Sequence, residues 1–132
     1  MSHPIPVGAT ATKTITVTPE LTVASFSPGM PDVYATAWMI AHMELAAAAA
    51  IQPYLPAGWM SVGVVVNVKH LAATPIGLTV TAKAVVTAVG ERDVTFTVES
   101  HDGVEKIGEG THVRAPIDLA RFDKRMAAKT KS

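Results

Sequence analysis

The sequence predicts an α+β domain in which one long buried helix is wrapped by a curved antiparallel sheet of about five strands. Three observations lead there. The chain has 132 residues, the length of one domain with a sizeable core. One helix-length segment is apolar on nearly every side, and a series of segments alternates at the strand period, four of them in succession after the helix.

The elements follow in chain order. Residues 13–17 alternate, with Ile15 and Val17 on one face and Thr14 and Thr16 on the other, as a first strand does. Residues 25–32 gather Phe26, Pro28, Gly29, Met30 and Pro31, which predicts a loop; Met30 and Phe26 are expected to form a lid over a pocket. A helix starts near Thr36, a candidate N-cap, and runs through Trp38, His42, Glu44 and five alanines to Ile51. Pro53 and Pro56-Ala57-Gly58 stop it. Lacking a polar face, this helix must be surrounded by other protein.

Val62, Val64, Val66 and Val68 then alternate as a strand. Leu78, Val80, Ala82 and Ala84 follow Pro75-Ile76-Gly77; Val94, Phe96 and Val98 follow Gly90-Glu91-Arg92-Asp93; residues 107–113 follow His101-Asp102-Gly103. Short turns between consecutive strands predict an antiparallel meander curved about the helix, the hotdog arrangement. Residues 119–131, rich in Lys and Arg, read as a short solvated helix with a frayed tail. The single domain spans residues 1–132, with 1–12 and 127–132 expected to be flexible. An edge strand left by such a sheet is usually paired or covered, so a homodimer sharing its sheet, or a dimer of dimers, is expected.

Composition narrows the chemistry. Without cysteine there is no disulfide framework, thiolate metal site or cysteine nucleophile. Eleven basic and eleven acidic side chains cancel, which gives no basis for strong attraction to nucleic acid or an anionic membrane. Residues 33–51 are nearly long enough to span a bilayer, but His42 and Glu44 lie at their middle, where a charge costs on the order of 3 kcal/mol. The N-terminus lacks the pattern of a secretory signal, so the cytoplasm is the expected compartment.

Glu44 is the first anomaly, because a carboxylate in a buried alanine-rich helix must be paired, hydrogen-bonded or protonated. Its structural alternative is a polar loop at the helix surface. His70 ends the valine-rich strand, a position where working side chains often face a cleft, although a lone histidine there is more often structural. His42, His101 and His112 read as structural. No His-Glu-x-x-His spacing occurs, and neither a metal nor a cofactor is expected. Arg114 ends Gly108-Glu109-Gly110-Thr111-His112-Val113-Arg114, whose glycines relieve crowding but match no phosphate loop. Lys69, Lys83, Arg92 and Arg121 are candidate phosphate contacts by residue type alone.

Four stretches together resemble the fluoroacetyl-CoA thioesterase-like family of hotdog proteins, over about residues 13–126. They are Tyr34-Ala35-Thr36 followed by Met43-Glu44; the strand with Gly63; His70-Leu71-Ala72-Ala73-Thr74-Pro75 with Gly77-Leu78-Thr79-Val80; and His101-Asp102-Gly103 running to Arg114. The resemblance implies hydrolysis of a short-chain acyl-CoA, with Thr36, Glu44 and His70 as the working group and Gly63 and Arg114 holding the acyl end. Eight helical residues separate Thr36 from Glu44 by roughly 12 Å, so the two cannot touch directly; His70 could bridge them, within one chain or across a dimer. Glu44 would attack the thioester carbonyl or activate a water, His70 would handle the proton of the departing thiolate, and Thr36 would stabilise the oxyanion.

One departure concerns selectivity. Family members tuned to a halogenated acyl group are expected to carry an aromatic gate before the helix, where this chain has Met30, with Phe26 the nearest aromatic. Fluoroacetate selectivity is therefore not carried over. Two other classes compete: a hotdog hydratase or dehydratase, for which Asp32 and His42 are poorly placed, and a non-catalytic acyl-CoA-binding module.

Overall fold

The computed structural model describes residues 4–131. The main elements are β1 (Thr10–Thr16), α1 (Thr36–Ile51), β2 (Trp59–His70), β3 (Thr79–Val89), β4 (Val94–His101), β5 (Lys106–Asp118) and α2 (Leu119–Thr130). The five strands form one antiparallel sheet in the order β1-β3-β4-β5-β2. The expected meander therefore holds only for β3, β4 and β5; β2 lies beyond β5 at the sheet's edge.

Two glycines of β5 admit its neighbours, β2 on one side and α1 on the other. A Cβ on Gly110 would stand 2.2 Å from the Asn67 carbonyl oxygen and 2.6 Å from the Val68 Cα, so only glycine lets β2 lie against β5 at this point. A Cβ on Gly108 would stand 2.5 Å from the Met39 sulfur, so this glycine lets α1 close on the sheet.

The core lies between α1 and the inner face of the sheet. Met39, Met43, Ala46, Ala47, Ala50 and Ile51 of α1 are buried with Val80, Ala82, Ala84 and Val86 of β3 and Val94, Phe96 and Val98 of β4. Apart from Val86 these strand residues belong to the alternating sets expected from sequence, of which Leu78 is only part-buried, and the small alanines allow helix and sheet to approach closely. The helix is not enclosed on all sides by its own chain. Trp38 and Leu45 remain exposed, as do Val64, Val65 and Val66 on β2. The missing polar face of α1 thus appears as an apolar face that one chain leaves in the open.

Thr36 is the first residue of α1 rather than its cap. Ala35 occupies the cap position without a side-chain bond, since alanine offers no acceptor, and the Thr36 hydroxyl is engaged by His70. The N-terminal stretch expected to be flexible includes buried Ile5 and Ala9 and the start of β1, and residues 127–130 belong to α2. Residues 1–3 and 132 lie outside the described residues. No helix among the described residues is long and apolar enough to cross a membrane.

Candidate active site

The end of β2 meets the start of α1, and there the Thr36 Oγ1 and the His70 Nδ1 are hydrogen-bonded at 2.7 Å. The loop that follows His70 is held from two sides. The Leu71 amide donates to the Ile107 carbonyl at 2.7 Å, and the Tyr34 amide donates to the Thr74 carbonyl at 2.8 Å. Buried Thr74 in turn donates through Oγ1 to the Asp102 Oδ2 at 2.9 Å, while the Asp102 Oδ1 accepts from the Val104 and Glu105 amides. The His101-Asp102-Gly103 turn is therefore an anchor, fixing the His70 loop to the segment that leads into Thr36.

Burial holds the His70 pKa below its usual value, with the Ala72 backbone opposing, so the ring is neutral at pH 7. Its Nε2 is buried and has no hydrogen-bond partner among the described residues. The Ala72 backbone acts on the ring without meeting the geometry of a hydrogen bond at Nε2, so this nitrogen is open to a further partner. A cleft of about 350 Å³ opens here, lined by Val23, Val33, Tyr34, Thr36, His70 and the loop after it.

Glu44 lies two helical turns further along α1. Its Oε2 stands 3.7 Å from the Arg114 Nη1. Gly63 and Arg114 are partners across β2 and β5, at a bulge that falls between Gly63 and Val65. A Cβ at position 63 would lie 3.3 Å and 3.4 Å from the two Glu44 carboxylate oxygens, so this glycine makes room for the carboxylate against the strand. Arg114 is itself buried. Its Nε donates to the Ser61 Oγ and its Nη2 to the Ser61 carbonyl, both at 2.7 Å, and its Nη1 faces the His112 Nε2 at 3.3 Å.

That geometry assigns the His112 tautomer. Arginine can only donate, so the His112 Nε2 accepts and its Nδ1 carries the proton, donated to the Val65 carbonyl at 2.7 Å. Burial lowers the His112 pKa, as a neutral ring requires. His112 thus braces the arginine that meets Glu44 and ties it to the β2 bulge. Sequence reading left His112 among the structural histidines; its position two residues before Arg114, on the same strand face, was the signal that it shares Arg114's surroundings. Ser61 carried no such signal.

The structure brings Thr36 to His70, and Glu44 to Gly63 and Arg114, but no hydrogen bond joins the two groups within the chain. His70 does not bridge Thr36 and Glu44 in one protomer. Met30 and Phe26 are exposed, at 48% and 60%, and do not line the cleft at Thr36 and His70. His42 is buried, bonded through Nδ1 to the Tyr34 hydroxyl and stacked on Tyr34 and Trp38. Asp32 is exposed on the loop. Among the described residues no cluster of His, Cys, Asp and Glu could hold a metal ion.

Comparisons with known proteins agree on one family. The family model for fluoroacetyl-CoA-specific thioesterase matches residues 17–120. The fluoroacetyl-CoA thioesterase of Streptantibioticus cattleyicolor is 42% identical over 130 residues, covering 94% of each chain. A solved structure of the fluoroacetyl-CoA thioesterase FlK superposes with a TM-score of 0.89 at 42% identity, over 95% of this chain and 97% of that one. A thioesterase superfamily member from Thermus thermophilus superposes with a TM-score of 0.90 at 32% identity, over 97% and 95%. With its helix wrapped by a five-stranded sheet, the chain belongs to the fluoroacetyl-CoA-specific thioesterase family.

Proposed function

We propose that this thioester hydrolase cleaves a short-chain acyl-CoA to the acid and free CoA, in a site completed by two copies of the chain. One observation carries the reading: the Thr36–His70 pair, with its unpartnered Nε2, and the Glu44–Arg114 pair stand apart at an open sheet edge. Antiparallel pairing of two β2 edges would run the His70 end of one strand alongside the Gly63 and Trp59 end of its partner. Exposed Val64, Val65 and Val66 would then be covered. Thr36 and His70 of one protomer would face Glu44, Gly63 and Arg114 of the other.

In such a site Glu44 supplies the attacking oxygen, its own or that of a water it deprotonates. With Nδ1–H donated to the Thr36 hydroxyl, neutral His70 presents Nε2 as an acceptor, which takes up the proton released as water is consumed and passes it to the departing thiolate. No side chain caps α1, so its first-turn amides beside Thr36 are available to a developing oxyanion, with the helix dipole in support. Net, water adds to the carbonyl carbon, the C–S bond breaks, and CoA leaves as the thiol. Arg114 and Gly63 hold the acyl end, and Met30 and Phe26 form a lid that sets its size. Methionine at the lid favours an adaptable pocket over halogen selectivity. The cytoplasm is the compartment proposed.

The dehydratase alternative has lost its acid/base pair, since His42 is committed to Tyr34 and Asp32 is exposed. Steady thiol release from acetyl-, propionyl- or butyryl-CoA tests the reading. Binding of these esters without release would leave a ligand-binding module instead.

A further inference from the structure

A second cleft, of about 690 Å³, lies between α2, the β3–β4 turn and the shared end of β2 and β5. Arg92 of the turn and Arg121, Lys124 and Arg125 of α2 line it, together with the aromatic rings of Trp59 and Phe122. Four of the chain's eleven basic side chains thus converge on one cleft in a protein of zero net charge. None of the four forms an ion pair with a described residue. The two carboxylates in the lining do not balance them, and one of these, Asp118, is used to cap α2 by accepting from the Ala120 amide.

This arrangement has a cost. Arg121, Lys124 and Arg125 are spaced i, i+3 and i+4, so three like charges share one helix face and repel one another. An anion between them would reverse the sign of that interaction, and guanidinium groups suit phosphate because they can donate two parallel hydrogen bonds. Trp59 and Phe122 are both part-buried and give the cleft the flat apolar surfaces on which a purine stacks. Location ties the cleft to the acyl site. Both Arg114 and the cleft residue Asp118 belong to β5, four residues apart, or roughly 13 Å at the rise of a strand. An extended pantetheine arm covers that distance.

We propose that this cleft binds the nucleotide end of CoA, with adenine against Trp59 and Phe122 and the 3′-phosphate and diphosphate on Arg92, Arg121, Lys124 and Arg125. The inference rests on the acyl-CoA reading above, and it identifies the part of the substrate that the acyl site does not hold. Of the candidates read from residue type alone, Arg92 and Arg121 line the cleft, whereas Lys83 lines a different one with Glu99, Lys106 and Glu109.

The double variant Arg121→Ala with Arg125→Ala tests it, since α2 has no buried residues and the fold should survive, as a thermal melt will verify. The KM for acyl-CoA should rise about tenfold or more, with kcat held. The KM for the matching acyl-pantetheine, which has no nucleotide, should be the same in parent and variant. Adenosine 3′,5′-bisphosphate, titrated calorimetrically, should bind the parent and lose affinity in the variant, with recovery in Arg121→Lys with Arg125→Lys. An unchanged KM for acyl-CoA in the folded variant, or an equal rise for acyl-pantetheine, overturns the site while leaving the thioesterase reading intact. A parent that hydrolyses no acyl-CoA yet binds the bisphosphate through these arginines overturns the thioesterase reading and keeps the site. Affinity for anionic vesicles or RNA with none for the nucleotide also refutes it.

Discussion

Replacing Glu44 with glutamine separates a catalytic carboxylate from a structural one by magnitude. The Glu44 side chain is 38% exposed and its contact with Arg114 spans 3.7 Å, so the pair contributes about 0–1 kcal/mol to stability. Glutamine keeps the shape that fits against Gly63. Arg114 loses the Glu44 charge but keeps both bonds to Ser61 and its contact with His112, so its buried guanidinium stays hydrogen-bonded. For a domain of this size the Tm should fall by about 4 °C or less. Catalysis should suffer far more, because glutamine can neither attack nor deprotonate water. Loss of a positioned acid/base group is worth about 10²–10⁴-fold in kcat, or roughly 3–5 kcal/mol of barrier. Thiol release and a thermal melt on one preparation provide both readings. Adding His70→Ala should cost little beyond the worse single change, as for groups that act as a unit. Near-parent turnover, or a melt showing that the variant no longer folds, would make Glu44 a structural residue and sink the mechanism.

Gly63→Ala should show the same split on a smaller scale: its Cβ meets the Glu44 oxygens at 3.3 Å and 3.4 Å, so kcat/KM should fall several-fold while stability holds or rises, and unchanged kcat/KM would remove Gly63 from the site. Burial lowers the pKa of His42, His70 and His112, the rings being neutral in the folded state. Their contribution to stability is fully present above pH 6.5, the unfolded value, and is lost as pH falls through the depressed folded values, so the Tm should drop on acidification from that point. The acid limb of kcat/KM should likewise have its midpoint below 6.5; one lying above it would exclude His70 as the group that must be neutral. Met30→Phe and Met30→Ala should change the preference among acetyl-, propionyl- and butyryl-CoA in opposite senses, and identical relative kcat/KM values in both would dismiss the lid. Light scattering should give a dimer or a dimer of dimers, and an active, folded 13.8 kDa monomer would end the shared-site reading.

Much of the fold could be read from local pattern. The alternation of Val80, Ala82 and Ala84, and of Val94, Phe96 and Val98, named the faces that pack on α1, and helix formers bounded by prolines delimited α1 to within a residue. Pairing was harder. A period of two says which side of a strand is apolar but not which strand lies next to it, so β2 was placed in a meander that it does not join. The residue that admits β2 is Gly110, whose role is to let a neighbour approach and which presents no chemistry of its own.

The candidate site shows the same division between residue type and arrangement. Thr36, Glu44, His70, Gly63 and Arg114 stood out as residues, and each has a partner in the fold that explains its position. Their separation into two groups depends on the length of α1, because two helical turns cannot be folded away inside one protomer. An α1 face that ends in exposed Trp38 and Leu45, a β2 edge with three exposed valines, and a histidine with one empty nitrogen are then related features. A second copy paired along β2 would cover the valines and bring a carboxylate toward the nitrogen in one association. Catalytic competence and burial of the open edge would then depend on the same contact. Weakening that contact with Val65→Lys should lower activity and dimer content in parallel across protein concentration, whereas activity retained in the dissociated state would show that one chain suffices.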